Sequence, residues 1–231
     1  MTRRLVVVAI CLTLAGVVPA FASGVSVSSQ TLDVYRTCVL TGVSSASTAV
    51  ADTFVNQQSP TTNSGAATTM NVQSRTSQNR RVYISFDLTL CSPVIPAAAS
   101  VASAELDLFI TALPAVCRTV DTFRLTSTWA EGTVTWNNQP VGTTTNNPPT
   151  GQRSSFTTIG AAPCTYSTNT SYARWTVTGD VAAWVAGSAT NYGWMLRDDA
   201  EDSATTRTIT FATSEANNAD RGPRLEITYR P

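Results

Sequence analysis

The sequence predicts an all-β protein, a single jelly-roll-like β-sandwich of about ten short antiparallel strands with one short helix. Three observations predict it. Apolar and polar residues alternate with a period of two in many short stretches. Loops rich in Gly, Pro, Ser, Thr and Asn separate these stretches. Only one stretch has apolar residues at helical spacing, and no repeat or flexible linker divides the chain, so we predict one domain.

The first 22 residues are predicted to be an export signal. Arg3 and Arg4 form a basic start, residues 5–18 are apolar, and Ala20 and Ala22 have the small-residue spacing of a cleavage site. No later stretch approaches the roughly 20 apolar residues of a membrane span. We therefore predict a secreted, extracellular protein that has no membrane association after signal cleavage.

The strands follow one another along the mature chain. Segment 23–49 is rich in Ser and Thr and is predicted to add a strand, over 31–41, to a domain that covers 50–231. The clearest alternation is in 81–90, where Val82, Ile84 and Phe86 share one face. Further strands are predicted at 51–55, 69–73, 104–111, 120–126, 133–136, 155–159, 174–178, 192–196, 207–213 and 224–229.

The predicted helix lies between the strands at 174–178 and 192–196. Val181, Trp184 and Val185 have the i, i+3, i+4 spacing of one helical face. Asp180 stands near the start, and Gly187 just past the end, where glycine commonly terminates a helix.

Four cysteines remain after signal cleavage, and an even number in an exported chain predicts two disulfides. Three pairings are open from the sequence, and no close C-x-x-C spacing indicates a zinc site. The cysteines are Cys38, Cys91, Cys117 and Cys164.

Charge and composition exclude several functions. Loss of Arg3 and Arg4 leaves 13 basic and 15 acidic residues. This slightly negative balance does not favour binding to nucleic acid or to an acidic membrane surface. The chain contains no histidine and no lysine, which excludes His-dependent nucleophilic triads, His-ligated zinc and lysine Schiff bases. A non-catalytic role is therefore favoured, and a glycan hydrolase or lyase that uses carboxylates or tyrosine stays as an alternative.

The stretch from Ser127 to Pro140 places two tryptophans around Glu131. Trp136 shares a face with Val134 in the predicted strand 133–136, which indicates a core position. Trp129 lies at the loop edge and is a candidate ligand contact, because aromatic faces stack on the C–H groups of sugars. Burial in the core is the alternative for Trp129 as well.

Two further aromatic residues, Tyr83 and Phe109, point away from the apolar face of their strands. With Asp87, Glu105 and Asp107 they would form a sheet face that binds glycan, the alternative being an ordinary solvated face.

Arg80 and Arg81 are candidate contacts for an acidic sugar, because a guanidinium binds a carboxylate through two hydrogen bonds. A solvated start of a strand is the alternative.

The sequence indicates no required cofactor, but it suggests a structural calcium ion. Calcium prefers several oxygen ligands, and the densest acidic run lies in a loop between two predicted strands. The ligands there would be Asp198, Asp199 and Asp202. A solvated acidic loop is the alternative, and Asp52 with Asn56 is a second candidate pair.

The order of motifs resembles the DNRLRE (disaggregatase-related) family of secreted β-sandwich domains, over about residues 50–231. The matching motifs are ADTFV (51–55), FDL (86–88), AELDL (104–108), WAE (129–131), TWNNQP (135–140), VTGDV (177–181), NYGWML (191–196) and PRL (223–225). The resemblance implies a jelly-roll fold and the role of a carbohydrate-binding module. Some relatives are linked to acidic polysaccharides such as alginate. Since this chain lacks lysine, contacts to uronate carboxylates would fall to arginine.

Together these observations predict a secreted, non-catalytic protein, similar to a carbohydrate-binding module, whose partner is an extracellular and acidic or neutral polysaccharide. An extracellular structural or adhesive protein that binds no glycan is the alternative from another class.

Overall fold

The computed structural model describes residues 34–42, 49–216, 218 and 220–231, so the predicted signal, residues 1–22, lies outside them. The described residues form eleven strands and one α-helix, which confirms the predicted all-β class. Among them, no helix is long and apolar enough to cross a membrane. The elements are β1 (Arg36–Thr41), β2 (Val50–Asn56), β3 (Thr69–Ser74), β4 (Arg80–Phe86), β5 (Ser100–Ala112), β6 (Arg118–Arg124), β7 (Ser155–Ile159), β8 (Tyr172–Thr176), α1 (Thr178–Val185), β9 (Trp194–Asp198), β10 (Arg207–Ala212) and β11 (Arg224–Arg230).

The strands form two layers, and all pairings between them are antiparallel. The β5 layer has the order β8-β5-β11-β1. The β4 layer has the order β2-β4-β9-β6-β7. The β3–β10 pair connects the layers, because β10 also pairs with the end of β5, and β3 meets β4 at Gln73 and Arg80. The result is one curled sheet that closes on itself as a sandwich.

The main core fills the space between the two layers. The alternating residues predicted from the sequence, including Ile84 and Leu106, are fully buried there. Two indoles cross this core with their N–H groups satisfied: Trp175 Nε1 donates to the Val120 carbonyl (3.0 Å) and Trp194 Nε1 to Asp180 Oδ2 (2.8 Å). Asp180 lies in the first turn of α1, so the second bond fixes that helix to the sheet.

A second core lies on the outer face of the β4 layer. Residues 127–149, hereafter the covering segment, pack across this face. The predicted strand 133–136 is wrong, because the chain there makes turns in which the amides of Thr133 and Val134 donate to the Ala130 carbonyl. Val134 and Trp136 are nevertheless buried, at 3% exposure each, as their apolar character required. The residues of this core are Val55, Tyr83, Phe123, Leu125, Val134, Trp136 and Met195.

Two disulfides join the four cysteines in one of the three pairings that the sequence left open. Cys38 of β1 bonds to Cys91, which follows β4, and Cys117 bonds to Cys164 around the β6–β7 pair. The Cα–Cα distances are 5.5 and 5.3 Å, within the normal range for a disulfide. The first bond ties the edge strand β1 to the rest of the sandwich.

Candidate functional site

The middle of the outer face of the β4 layer is unavailable to a ligand because the covering segment occupies it. Tyr83, predicted to face solvent, is fully buried, and its hydroxyl donates to Gln139 Oε1 (2.9 Å). Burial raises the pKa of Tyr83 far above its ordinary value. The expectation that Tyr83 lies on a solvated face is therefore wrong. Tyr83 does point away from the inner face of its strand, but another part of the chain covers the outer face.

Arg81 is also fully buried, which corrects its expected position at a solvated loop. Its guanidinium donates twice to Glu201 (2.7 and 2.8 Å) and once each to Gln139 Oε1 and the carbonyls of Gly142 and Thr144. The ring of Trp136 lies 4.7 Å from its Cζ. These five bonds use all five N–H groups of the guanidinium, so none is free to bind a ligand.

Arg80, the neighbour of Arg81, is half-buried over the ring of Phe54, with Cζ 5.7 Å from the ring centroid. Its Nε is enclosed and has no hydrogen-bond partner among the described residues. Burial lowers the pKa of Arg80.

The outer face of the β5 layer carries Phe109 as predicted, but this ring is 8% exposed. Tyr172 contacts it edge-on, with centroids 5.3 Å apart, and the Arg221 guanidinium lies 5.2 Å above it. Asp107 is covered in the same way by Arg174 and Arg224, which pair with it at 2.7 and 2.6 Å. The aromatic ring and the carboxylate of this face therefore already have partners in the chain.

Trp129 occupies a different environment, at the rim of the second core. One part of its ring packs against Tyr83, with centroids 5.6 Å apart, and its Nε1 donates to the Tyr192 carbonyl (2.8 Å). The indole is only half-buried, and it lines a depression of about 300 Å³. The other residues around this depression are Thr128, Ala130, Thr133, Val134 and Asn138. The structure thus places an aromatic ring beside hydroxyl and amide groups in a groove.

A larger recess of about 440 Å³ lies beside Trp184, at the ends of β2 and β4. Trp184 is 8% exposed, because its ring packs on Trp194 with centroids 4.6 Å apart. The Asp87 carboxylate at its rim accepts from the Thr89 amide and hydroxyl (2.9 and 2.6 Å). The recess therefore offers less free aromatic surface than the Trp129 depression does.

The Trp129 loop is held by the loop that follows β2. Asn63 Nδ2 donates to the carbonyls of Glu131 (2.6 Å) and Val134 (2.8 Å), while its Oδ1 accepts from the Gly65 amide (3.1 Å). A Cβ on Gly65 would lie 2.6 Å from the Glu131 carbonyl oxygen, so glycine is required for this close approach. On the other side, Glu131 Oε1 accepts from the Asp52 amide (2.8 Å).

Replacing Asn63 by alanine is expected to lower the free energy of unfolding by about 1–3 kcal/mol, because two half-buried carbonyls lose their donor. Urea denaturation measures this, with Thr61→Ala, at an exposed position of the same loop, as the control. An effect no larger than that of Thr61→Ala would show that Asn63 does not hold the Trp129 loop.

The acidic run predicted as a calcium site is not a set of free ligands. Arg118 donates to both oxygens of Asp198 (2.9 and 2.5 Å) and also pairs with Asp199. Asp202 accepts instead from Asn79 Nδ2 (2.7 Å) and the Ser77 amide (3.1 Å). Calcium binding at this run stays a prediction, and a positive side chain distant in the sequence, Arg118, already pairs with two of its three acids.

A different acidic cluster is present. One carboxylate oxygen from each of Asp52, Glu131 and Glu215 lies within 4.8 Å of the other two. Burial, with the negative charge of Glu215, raises the pKa of Asp52 well above its ordinary value, and burial also raises that of Glu131. Sequence reasoning paired Asp52 with Asn56 and missed this cluster, because Asp52 and Glu131 are 79 positions apart.

Comparison with protein families finds a match over residues 43–229 to the model described as carbohydrate-binding module family 96. Comparison with curated proteins finds no match. The matched range contains both the Trp129 depression and the acidic cluster. It agrees with the class of module that the resemblance implies, while the DNRLRE name itself stays a prediction.

Proposed function

The chain belongs to carbohydrate-binding module family 96, and on that basis we propose that it is a secreted, non-catalytic protein that binds extracellular polysaccharide at the Trp129 depression. The exposure of its tryptophans is the observation that carries the choice of site. Four of the five are buried, at 8% exposure or less, whereas Trp129 is partly exposed. Sugar sites combine an aromatic face with polar groups at its edge, which is the arrangement around Trp129.

A second depression extends the candidate site. Tyr192, whose carbonyl accepts the bond from Trp129, also lines a depression of about 270 Å³. Its other lining residues are Arg124, Leu125, Thr126, Ala189 and Thr190. A polymer lying across both would contact Trp129 with one sugar and Arg124 with another. The Arg124 side chain is 38% exposed and lines this depression, so it is the cation that would meet a uronate carboxylate, although its Nη1 also lies 3.4 Å from Asp180 Oδ1.

The non-catalytic role is supported by the chemistry of the depression. Neither of the two depressions is lined by a carboxylate, and the one acid in the Trp129 loop, Glu131, is turned toward the Asp52 amide. Secretion is supported by the signal-like first 22 residues and by two disulfides, which persist in oxidising compartments.

Affinity electrophoresis of the mature chain in gels that contain neutral or acidic polysaccharide tests the proposal. We expect retention in at least one polymer, and we expect Trp129→Ala to weaken binding by about tenfold or more, because the stacking surface is lost. Phe156→Ala is the matched control, since Phe156 is 52% exposed and lines neither depression.

Two results would overturn the proposal: no retention in any polymer, or equal retention of Trp129→Ala and the unchanged protein. Concentration-dependent association in sedimentation runs, without retention, would instead favour the structural or adhesive alternative. Near-ultraviolet circular dichroism of each variant establishes that it is folded.

A further inference from the structure

The acidic cluster of Asp52, Glu131 and Glu215 has the dimensions of a calcium site. Calcium binds oxygen ligands at about 2.3–2.6 Å, so ligands on opposite sides of one ion are about 5 Å apart. The three carboxylate oxygens lie within 4.8 Å of one another. A single ion can therefore contact all three without a large movement of the backbone.

No arginine neutralises these acids within the described part of the chain. The other buried acids pair with guanidinium groups there: Asp107 with Arg174, and Glu201 with Arg81. Asp52 is fully buried and has no such pair among the described residues. A buried carboxylate that lacks a counter-charge is costly, and neighbouring acids increase that cost. The cluster thus has an excess of negative charge that a cation would remove.

Glu215 supplies a second, independent observation, an enclosed oxygen that has no partner. Its Oε1 accepts from the Ser214 hydroxyl (2.9 Å), whereas its Oε2 is enclosed and has no hydrogen-bond partner in the described residues. The same hydroxyl lies 3.3 Å from Asp52 Oδ1, but its one proton can serve only one carboxylate. Glu215 as a whole is half-buried, but this enclosed oxygen needs a proton, a cation or a bound water as its partner.

The carboxylates are also held in place. The Ser214 amide donates to Asp52 Oδ2 (2.9 Å), and the Asp52 amide donates to Glu131 Oε1 (2.8 Å). Such contacts orient the ligands of a metal and keep the cluster together. The three acids come from β2, from the covering segment and from the turn Ser214–Ala216.

We propose that Asp52, Glu131 and Glu215 bind one calcium ion. One oxygen from each carboxylate supplies three of its six to eight ligands, and the second carboxylate oxygens, backbone carbonyls and water supply the rest. Bound there, the ion joins β2, the covering segment and the turn at 214–216. Because Glu131 lies two positions after Trp129, the ion also fixes the loop that carries the sugar contact; this last consequence rests on the proposed function.

Calcium titration of the chelator-treated mature chain by isothermal calorimetry tests the inference, with metal content measured by mass spectrometry. We expect one calcium per chain. When free calcium exceeds its Kd about a hundredfold, we expect the midpoint of thermal unfolding to rise by about 5 °C or more. Glu215→Gln is expected to weaken calcium binding by at least about tenfold, because one ligand charge is lost. Glu226→Gln, at a half-buried acid on the β5 layer, is the matched control.

Absence of stoichiometric binding by the unchanged protein at millimolar calcium would overturn the inference, and would indicate that a shared proton satisfies the cluster. Unchanged binding in Glu215→Gln would overturn it too. If Glu215→Gln fails to fold, Glu131→Gln is measured in its place. All these readouts are taken without glycan, so failure here is distinct from failure of retention on polysaccharide.

Discussion

Replacing Glu201 by alanine is expected to lower the free energy of unfolding by about 3–5 kcal/mol, because it leaves the charge of Arg81 buried without a partner. Both side chains are completely buried, and two hydrogen bonds join them (2.7 and 2.8 Å). Glu201 also holds the covering segment, since its Oε2 accepts from the Asn146 amide (2.6 Å). The substitution therefore loosens that segment and also leaves the buried cation with neutral acceptors only, those of Gln139, Gly142 and Thr144.

Chemical denaturation measures this loss, and Glu226→Ala is the control at an acid that is not fully buried. The double variant Arg81→Met with Glu201→Leu is expected to be more stable than Glu201→Ala alone, because it removes both charges together. A loss of less than about 1 kcal/mol for Glu201→Ala would contradict the pairing, since exposed ion pairs have effects of that size.

Replacing both Cys38 and Cys91 by serine is expected to lower the free energy of unfolding by about 4 kcal/mol, since the disulfide closes a long loop in the unfolded chain. The two residues are 53 positions apart. Among the described strands β1 lies at an edge and pairs with β11 alone, so the loss should be concentrated there. Hydrogen exchange of the amides in β1, measured beside chemical denaturation, is expected to accelerate more than exchange in β5.

The second disulfide provides the comparison for this experiment. Cys117 and Cys164 are 47 positions apart, so their replacement is expected to have a similar effect on overall stability. It should leave exchange in β1 close to that of the rest of the sheet. Equal acceleration in β1 for the two pairs of substitutions would show that Cys91 does not anchor the edge strand.

The strands could be predicted because each has an inner face of its own. Ile84 and Leu106 stand in two-residue alternation, and both are fully buried between the layers. The helix could be predicted for a similar reason, since Val181 and Trp184 lie on one face and are buried. The spacing of apolar residues predicts a buried face when that face packs in the main core between the layers.

The second core could not be predicted in this way. Tyr83 alternates away from the inner face, and its burial depends on a segment that follows about 50 residues later in the chain. The partner of Arg81 is more distant still, 120 positions away at Glu201. Charge pairing over such separations is determined by the topology of the chain, which a local pattern does not contain.

In the candidate site too, the residue with a local signal could be predicted and the long-range cluster could not. Trp129 was predicted at a loop edge and is partly exposed at the rim of the second core, although its contact with sugar stays a prediction. The acidic cluster was missed because its members come from three separate parts of the chain. The acidic run at 198–202 is visible in the sequence because its members are adjacent, but the pairing of Arg118 with its first two acids is not.

The way in which the covering segment is bonded affects the resistance of the protein to proteases. A long irregular stretch is normally the place where a protease cuts, because its backbone can unfold locally into an active site. Here Arg81 donates to the carbonyls of Gly142 and Thr144, and Arg197 donates to that of Pro148. Cleavage between residues 142 and 148 would require these buried guanidinium groups to release the carbonyls. Resistance of this stretch to digestion is thereby coupled to the stability of the sandwich beneath it.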